Sequence, residues 1–191
     1  MKLIGISGTN GSGKDTIGQY LADQHKWLFV SVTDMLREEC RRRGLAIERE
    51  NLRTISAEWR REGGLGVLVD KAVELFGETS EDYAGLAVAS LRNPGEVDRV
   101  HELGGVVVWV DADARIRYDR IQSVSRGRGS EDTKTFAEFL AEQEAEMQSS
   151  GDAATLNMST VRDKADEQLL NEGTPEQLKD EIAMIVESFS V

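Results

Sequence analysis

The sequence predicts an α/β fold in which helices cover both faces of a central parallel sheet. Short apolar runs alternate with segments of helical periodicity along the chain. The runs are continuously apolar, which is typical of strands buried on both faces. Since strands separated by helices form βαβ units, we expect a three-layer arrangement. We also expect a single domain over residues 1–191, because domains average about 150 residues.

Four apolar runs and a short final segment near residues 167–170 predict the strands of the sheet. The first, KLIGIS, ends at a glycine, and VVVWVD is the clearest strand signal in the chain. The run WLFVSV is apolar and partly β-branched, as strands commonly are. The predicted strands lie at residues 2–7, 27–32, 86–90, 106–111 and 167–170.

Apolar stripes and glycine stops predict the helices. Ile17, Tyr20 and Leu21 form one stripe, and Gly44 is a typical helix C-cap. Residues 149–165 are polar and predict no element. The predicted helices lie at residues 14–25, 34–43, 48–61, 65–76, 95–103 and 114–124, around 136–147, and at 175–189.

Three of these helices fall between the second and third strands, which is more than one crossover connection needs. We therefore expect residues from about 33 to 76 to form an inserted arm that binds a substrate. An arginine-glycine loop follows the helix at 114–124.

Composition limits the classes of function. With 39% hydrophobic residues and 2 prolines, the chain can bury a core instead of staying disordered. It holds no apolar run of the roughly 18 residues that a membrane helix needs, and MKLIGISG leads into a glycine-rich motif instead of a cleavage site. The single cysteine, Cys40, suits a cytoplasmic protein. We therefore expect a cytoplasmic protein, as a monomer or homodimer.

The distribution of charge favours a small ligand over nucleic acid. The net charge is −12, and nucleic-acid affinity comes mainly from many neutralised phosphates. The first 130 residues are nearly neutral, with 19 basic and 20 acidic residues, and their arginines are clustered. These clusters predict small-molecule nucleotides as partners, with no nucleic acid and no membrane.

One motif carries specific chemistry. GTNGSGK, from Gly8 to Lys14, fits the phosphate-loop pattern G-x-x-x-x-G-K between a predicted strand and a predicted helix. Its glycines let backbone N–H groups converge on a phosphate, and the helix adds its positive end. Lys14 supplies a point charge for the β and γ phosphates. The predicted nucleotide-binding residues of this loop are Gly8, Asn10, Gly11, Ser12, Gly13, Lys14, Asp15 and Thr16.

The residue after Lys14 departs from the common motif. Asp15 stands where Ser or Thr usually ligates magnesium, and the hydroxyl arrives one place later, at Thr16. In this respect the chain resembles nucleoside monophosphate kinases, whose loops often read GKxT. The string GSGKDT is especially similar to deoxynucleoside monophosphate kinases of the phage type. The resemblance implies a P-loop NTPase-type fold with ATP and Mg²⁺ as cofactors.

Further segments resemble an adenylate-kinase-related family described mainly from archaea. They are SVTDMLR, LRNPGE, the RGR of the arginine-glycine loop, and NEGTPEQL. The resemblance implies that Arg37 and Arg92 hold the acceptor phosphate, that Asp34 and Thr16 organise magnesium, and that Glu96 contacts the acceptor base. It also implies that the arginine-glycine loop forms a short lid over residues from about 124 to 134. It further implies lid arginines at Arg117, Arg120, Arg126 and Arg128, and a loop around the donor base with Asn171, Gly173 and Thr174.

Two features depart from this pattern. The third strand, LAVAS, has Val88 and Ala89 where these kinases usually carry a magnesium-organising aspartate, and Glu96 replaces a base-reading glutamine. Taken alone, Arg37 and Arg92 could be surface cations and Asp34 a helix N-cap.

The leading hypothesis is transfer of a phosphoryl group from ATP to a nucleoside monophosphate. The alternatives are a kinase for another acceptor such as dephospho-coenzyme A, and a nucleotide-binding switch or slow ATPase. The missing aspartate favours the switch. The acceptor arginines argue against it, because a switch needs no second phosphate site.

Overall fold

Five parallel strands form one sheet in the computed structural model, which describes residues 1–123, 134–148 and 150–188. The strand order is β2-β3-β1-β4-β5. The strands are β1 (Leu3–Gly8), β2 (Trp27–Ser31), β3 (Gly85–Leu91), β4 (Val106–Asp111) and β5 (Glu167–Leu170). The predicted five-stranded parallel sheet is therefore confirmed.

Helices connect the strands in the expected alternation. Three of them lie between β2 and β3, and they form the segment that the sequence predicts as an insertion. The helices are α1 (Lys14–His25), α2 (Val32–Arg42), α3 (Arg49–Gly63), α4 (Val67–Thr79), α5 (Pro94–Glu102), α6 (Ala114–Ser123), α7 (Phe136–Met147), α8 (Met158–Lys164) and α9 (Pro175–Ser188), with a short 3₁₀ turn at Ser80–Asp82.

Two apolar clusters, one on each face of the sheet, make three layers. The first packs side chains of α2, α3, α4, α5 and α8 against β1, β3 and β4. The second packs α1 and α9 against the other face, with Ile17 and Leu21 meeting Leu178 and Ile182. Burial of apolar surface on both faces is what the continuously apolar strand sequences predict.

Strand order determines where a ligand can bind. Strand β1 is at the centre of the sheet. Strands β3 and β2 lie on one side of it, and β4 and β5 lie on the other. In such sheets the crevice at the carboxyl ends of the strands, where the order reverses, is the usual ligand site. The ends of β1, β3 and β4 meet there, and they carry Gly8, Leu91 and Asp111.

The structure differs from the sequence expectations in three places. Helix α8 lies in the polar segment that predicted no element. It is anchored by Met158 and Val161, which are both almost fully buried. Strand β5 is an edge strand and is mostly exposed, so it is not a buried strand like the others. Helix α2 begins two residues earlier than expected, because Ser31 is its N-cap and accepts a hydrogen bond from the Asp34 N–H.

The predicted lid and the expected lack of a membrane helix are judged against the described residues. The predicted lid, at about 124–134, falls on residues 124–133 except for its last position, and these lie outside the described residues, as do Arg126 and Arg128. Within the described ranges, each helix is too short or too polar to cross a membrane.

Candidate active site

The phosphate loop lies between β1 and α1, where the motif predicts it. Gly13 is the N-cap of α1 with φ of 103°, in a left-handed conformation that favours glycine. Gly8 has φ of 137°, and a Cβ atom there would lie 1.9 Å from the Val110 carbonyl oxygen. Both positions therefore require glycine, and the glycine at position 8 lets the loop lie close to β4.

Lys14 is buried at the start of α1. Its ammonium group donates to the Thr9 carbonyl oxygen at 2.5 Å, so the side chain folds back over the loop. The pKa of Lys14 is lowered to about 7, mainly by burial and then by the nearby positive charges of Arg92 and Arg117, against the raising effect of Asp15 and Glu146. A neighbouring anionic phosphate would restore the charged form.

Asp111 and Arg117 brace the loop from behind. The Thr9 hydroxyl donates to Oδ1 of Asp111 at 2.6 Å, and the same atom lies 3.4 Å from Nε of Arg117. Arg117 also donates to the carbonyl oxygens of Ala112, at 2.7 Å, and Asn10, at 3.3 Å. The sequence indicated Asp111 only as the polar end of the VVVWVD strand.

This position corrects the expectation for Arg117. Its side chain is 3% exposed, lies outside the lining of the main cavity, and packs over the Phe139 ring. Arg117 is therefore a residue that supports the loop backbone and not one that closes over the transferred group.

A cavity of about 350 Å³, formed by described residues, opens in front of the loop. Most of the predicted site residues line it. They are Asn10, Gly11, Gly13, Lys14, Asp15, Thr16, Arg37, Arg92, Arg120, Asn171 and Gly173. Gly8, Ser12, Asp34, Glu96, Arg117 and Thr174 do not.

Two polar atoms at the loop are buried without a hydrogen-bond partner among the described residues. They are the Ser12 hydroxyl oxygen and Nη1 of Arg120. Arg120 also lines the cavity. Because a buried donor without a partner is costly, Nη1 of Arg120 fits a site that a polyanionic ligand completes, whereas Ser12 lies outside the cavity lining.

The three predicted residues of the donor-base loop, Asn171, Gly173 and Thr174, have different positions relative to the cavity. Asn171 is buried, and its amide donates to the Ser12 carbonyl oxygen at 2.8 Å, so it holds the phosphate loop in place. Gly173 and Pro175 line the cavity. Thr174 lies outside that lining and exchanges hydrogen bonds with Gln177 at the start of α9.

The two predicted acceptor arginines both reach the cavity, but Asp34 does not. Arg37 donates to Oδ1 of Asp34 at 2.6 Å, and the Asp34 side chain is 67% exposed. Asp34 is therefore placed as the surface partner of Arg37. This corrects both the prediction of Asp34 as a magnesium-organising residue and its alternative as a helix N-cap, a position that Ser31 occupies.

Glu96 is placed where it cannot read a base. Its side chain is fully buried, and Oε1 accepts from Nη2 and Nε of Arg60 at 2.7 and 3.1 Å. Oε2 accepts from the backbone N–H groups of Arg92 and Asn93, at 2.7 and 3.1 Å, in a capping box at the start of α5. Since both oxygens are engaged inside the protein, Glu96 positions the Arg92 segment. The prediction that it contacts the acceptor base is wrong.

Sequence reasoning missed four charged residues that line the cavity, namely Arg49, Arg53, Glu146 and Arg60, the buried partner of Glu96. Arg49 and Arg53 lie one turn apart on α3, and Glu146 lies on α7. Nη1 of Arg92, Nη1 of Arg49 and Nη2 of Arg53 all lie 3.0–3.1 Å from Oε1 of Glu146. The four-residue spacing of the two arginines was the only available signal, because Glu146 is more than 90 residues away from either of them in the chain.

Ser90 is a further missed residue, at the end of β3. Strand β1 pairs Ile6 with Ala89 but Ser7 with Leu91, so Ser90 is a bulge residue. It has φ of 70°, which is uncommon for a residue with a side chain, and it lines the cavity. Backbone conformations of this kind cluster at functional sites.

The residues present fit ATP and magnesium. The glycine cradle, Lys14 and Nη1 of Arg120, which has no partner among the described residues, suit a triphosphate. Among the described residues, no group of three or more His, Cys, Asp or Glu side chains could hold a metal by itself. Magnesium bound with ATP needs only one or two protein oxygens beside phosphate and water, and two hydroxyl-bearing residues, Thr16 and Ser90, line the cavity.

Comparison with known proteins agrees with this architecture. The AAA domain family AAA_18 matches residues 4–148. A UPF0200 protein of Hyperthermus butylicus is 33% identical over 72% of this chain and 71% of its own length. A UPF0200 protein of Methanococcus maripaludis is 28% identical over 91% of this chain and 89% of its own length.

A solved structure shares the fold. Shikimate kinase from Bacteroides thetaiotaomicron superposes with a TM-score of 0.58 at 13% identity, covering 99% of this chain and 98% of that enzyme. The fold is therefore an α/β fold of the P-loop kinase type. From the matched residues and the identity with its relatives, the chain belongs to the AAA domain family AAA_18 and to the UPF0200 proteins.

Proposed function

We propose that this protein is a kinase that transfers the γ-phosphoryl group of ATP to a nucleoside monophosphate. The observation that carries the proposal is the cavity of about 350 Å³, which has a phosphate loop on one wall and a group of arginines on another. A protein that only binds or hydrolyses ATP needs the loop, but it has no need of a second cluster of cations. Two anionic ligands sharing one cavity is the arrangement that phosphoryl transfer requires.

On the donor side, the loop backbone and Lys14 would hold the triphosphate. The unpartnered Nη1 of Arg120 would donate to the same phosphates from α6. The Thr16 and Ser90 hydroxyls would hold magnesium, which neutralises phosphate charge when it is bound. Asn171, Asp111 and Arg117 keep the loop backbone in place, so the cradle would be formed before the nucleotide arrives.

On the acceptor side, Arg92 and Arg37 would bind the anionic group and orient it toward the γ-phosphate. An acceptor phosphate is already anionic, so the reaction needs no dedicated base. Catalysis would then rest on positioning and charge neutralisation. The resemblance of SVTDMLR and LRNPGE to nucleoside monophosphate kinases supports the choice of a nucleotide as acceptor.

A kinase for another small anionic acceptor is the second candidate. One observation favours it: Glu96, the residue expected to contact an acceptor base, is fully buried and paired with Arg60. The shared fold with shikimate kinase is compatible with a non-nucleotide acceptor as well. A slow ATPase or switch is disfavoured by the arginines on the cavity wall.

A screen of acceptors tests these alternatives. Purified protein is incubated with γ-labelled ATP and magnesium against each nucleoside and deoxynucleoside monophosphate, dephospho-coenzyme A, shikimate and water alone. We expect labelled diphosphate product with at least one monophosphate. Transfer only to a non-nucleotide acceptor would replace the leading proposal by the second, and hydrolysis independent of every acceptor would reject both. The Lys14→Ala variant is the control for contaminating kinases.

A further inference from the structure

The carboxylate of Glu146 is surrounded by cations from separate parts of the chain. Arg49 and Arg53 come from the first two turns of α3, and Arg92 follows β3. All three guanidinium groups contact the same oxygen, at 3.0, 3.1 and 3.0 Å respectively. The Glu146 residue is only 9% exposed. An anion at this position therefore already has three charge-assisted donors around it.

Glu146 is a counter-ion shared by three arginines. Of these three, the neighbouring Glu142 contacts only Arg49, at 3.3 Å, and Glu142 also pairs with Lys134. Burial opposes ionisation of Glu146, but Arg92, Arg49 and Arg53 outweigh it and lower its pKa to about 2. The carboxylate is therefore charged at neutral pH.

The hydrogen-bond geometry favours a different anion. Arginine binds an anion best when its fork meets two oxygens or when each guanidinium has an oxygen of its own. Here three guanidinium groups share one carboxylate oxygen. A phosphate has three terminal oxygens and could give each arginine its own partner.

The arginine cluster lies beside the phosphate loop, where the phosphate group of an acceptor would have to bind. Arg92 and Glu146 are both near enough to Lys14 to influence its pKa, so the cluster is next to the phosphate loop. Leu52 and Leu156 line the same cavity and provide an apolar wall for the remainder of a ligand.

We propose that Arg49, Arg53 and Arg92 form the binding site for the phosphate group of the acceptor, and that the Glu146 carboxylate occupies this site until that group replaces it. That the ligand is an acceptor rests on the proposed function; that the site binds phosphate does not. In the free protein, Glu146 keeps the three arginines together and screens them from other anions. Arg37 would then contact another part of the acceptor.

Inorganic phosphate is the probe for this site. Its affinity is measured by calorimetry at constant ionic strength for the wild type, Glu146→Gln, the matched control Glu142→Gln on the same helix, and Arg53→Met combined with Glu146→Gln. We expect phosphate to bind Glu146→Gln at least about tenfold more tightly than the wild type. Glu142→Gln should stay within about threefold of the wild type, because its carboxylate contacts only Arg49 of the three arginines.

The double variant separates this site from the phosphate loop. If the increase in phosphate affinity caused by Glu146→Gln disappears when Arg53 is also replaced, the three-arginine site is supported. If the increase persists with Arg53→Met, or if Glu146→Gln binds phosphate no more tightly than the wild type, the site is rejected. If Glu146→Gln does not fold, Glu146→Asp withdraws the carboxylate by one methylene group and should still bind phosphate more tightly than the wild type; equal affinity would then reject the site.

This readout is independent of phosphoryl transfer. Tighter phosphate binding in Glu146→Gln, together with a wild type that phosphorylates no acceptor, keeps the anion site and rejects the proposed function. Transfer by the wild type, together with unchanged phosphate affinity in Glu146→Gln, keeps the function and rejects the site.

Discussion

At the scale of single residues, the free protein holds Lys14 in an unusual state. The ammonium group is buried against the Thr9 carbonyl oxygen, and burial with the nearby Arg92 lowers its pKa to about 7. A bound triphosphate would favour the charged form. Nucleotide binding above neutral pH should therefore take up a proton.

This linkage gives a prediction for ATP binding. Since the complex binds one more proton than the free protein above pH 7, affinity should fall as pH rises, by up to tenfold per pH unit. Calorimetry with magnesium-ATP at about pH 8.5, in buffers of different ionisation enthalpy, should report uptake of nearly one proton. Lys14→Met should abolish both the uptake and the pH dependence. A wild-type heat that is the same in all buffers would contradict the assignment.

The acceptor role of Arg92 can be separated from its effect on folding. Arg92→Met should reduce kcat/KM for the acceptor at least tenfold, because a desolvated charge pair is lost, while ATP affinity changes little. Arg99→Met is the matched control, since Arg99 pairs with Asp70 and Glu102 outside the cavity. Equal effects of the two substitutions would remove Arg92 from the acceptor site.

The hydroxyls of Thr16 and Ser90 predict how magnesium contributes to ATP binding. Thr16→Ala and Ser90→Ala should each weaken ATP binding in the presence of magnesium and leave binding in EDTA nearly unchanged, because only the metal contact is lost. Titrations of each variant with and without the metal measure this difference. The assignment fails if wild-type affinity is the same in both conditions.

At the scale of elements, a buried ion pair connects the insertion to the sheet. Arg60 of α3 pairs with Glu96 of α5, and both side chains are at most 2% exposed. Arg60 also donates to the Ala154 carbonyl oxygen at 2.9 Å. Through the Arg92 N–H, Glu96 holds the end of β3 in place. This pair therefore fixes the position of the acceptor arginine.

Breaking that pair should be costly for stability. Glu96→Gln leaves the Arg60 charge buried without a counter-ion, which typically costs about 3–5 kcal/mol of unfolding free energy. Glu102→Gln on the same helix removes an exposed pair with Arg99 and should cost less than about 1 kcal/mol. Urea unfolding monitored by circular dichroism compares the two. Similar midpoints would mean that the buried pair contributes little.

At the scale of the whole molecule, nucleotide binding joins elements from both ends of the chain. The cavity takes residues from the phosphate loop, from the insertion, from β3 and from the Asn171 loop. A ligand that bridges them should stabilise the native state over the unfolded state by mass action.

This predicts a large thermal shift. Magnesium-ATP at about 100 times its dissociation constant should add about 2.7 kcal/mol. For a chain of this size, that corresponds to a rise in Tm of roughly 5–11 °C. Lys14→Ala should show a much smaller rise at the same concentration. An unchanged wild-type Tm with every adenine and guanine triphosphate would remove the phosphate loop from the function.

The sequence predicted the local features of this protein well. Strands β1, β4 and β5 and helix α1 lie within one residue of their expected bounds, because apolar runs and glycine stops act over a few neighbouring residues. The phosphate loop was recognisable for the same reason, since its glycines and Lys14 are adjacent in the chain. Helix α8 was missed because its polar sequence is helical only where Met158 and Val161 meet the sheet.

The sequence alone determined the parallel sheet and the anion cradle after β1, because both follow from residues that are close together in the chain. Only the tertiary structure decided which charges meet. It paired Glu96 with Arg60, turned Arg117 behind the loop, and brought Glu146 to Arg49, Arg53 and Arg92. The sequence does not show which charged residues will pair, because pairs separated by tens of residues depend on how the helices pack on the sheet.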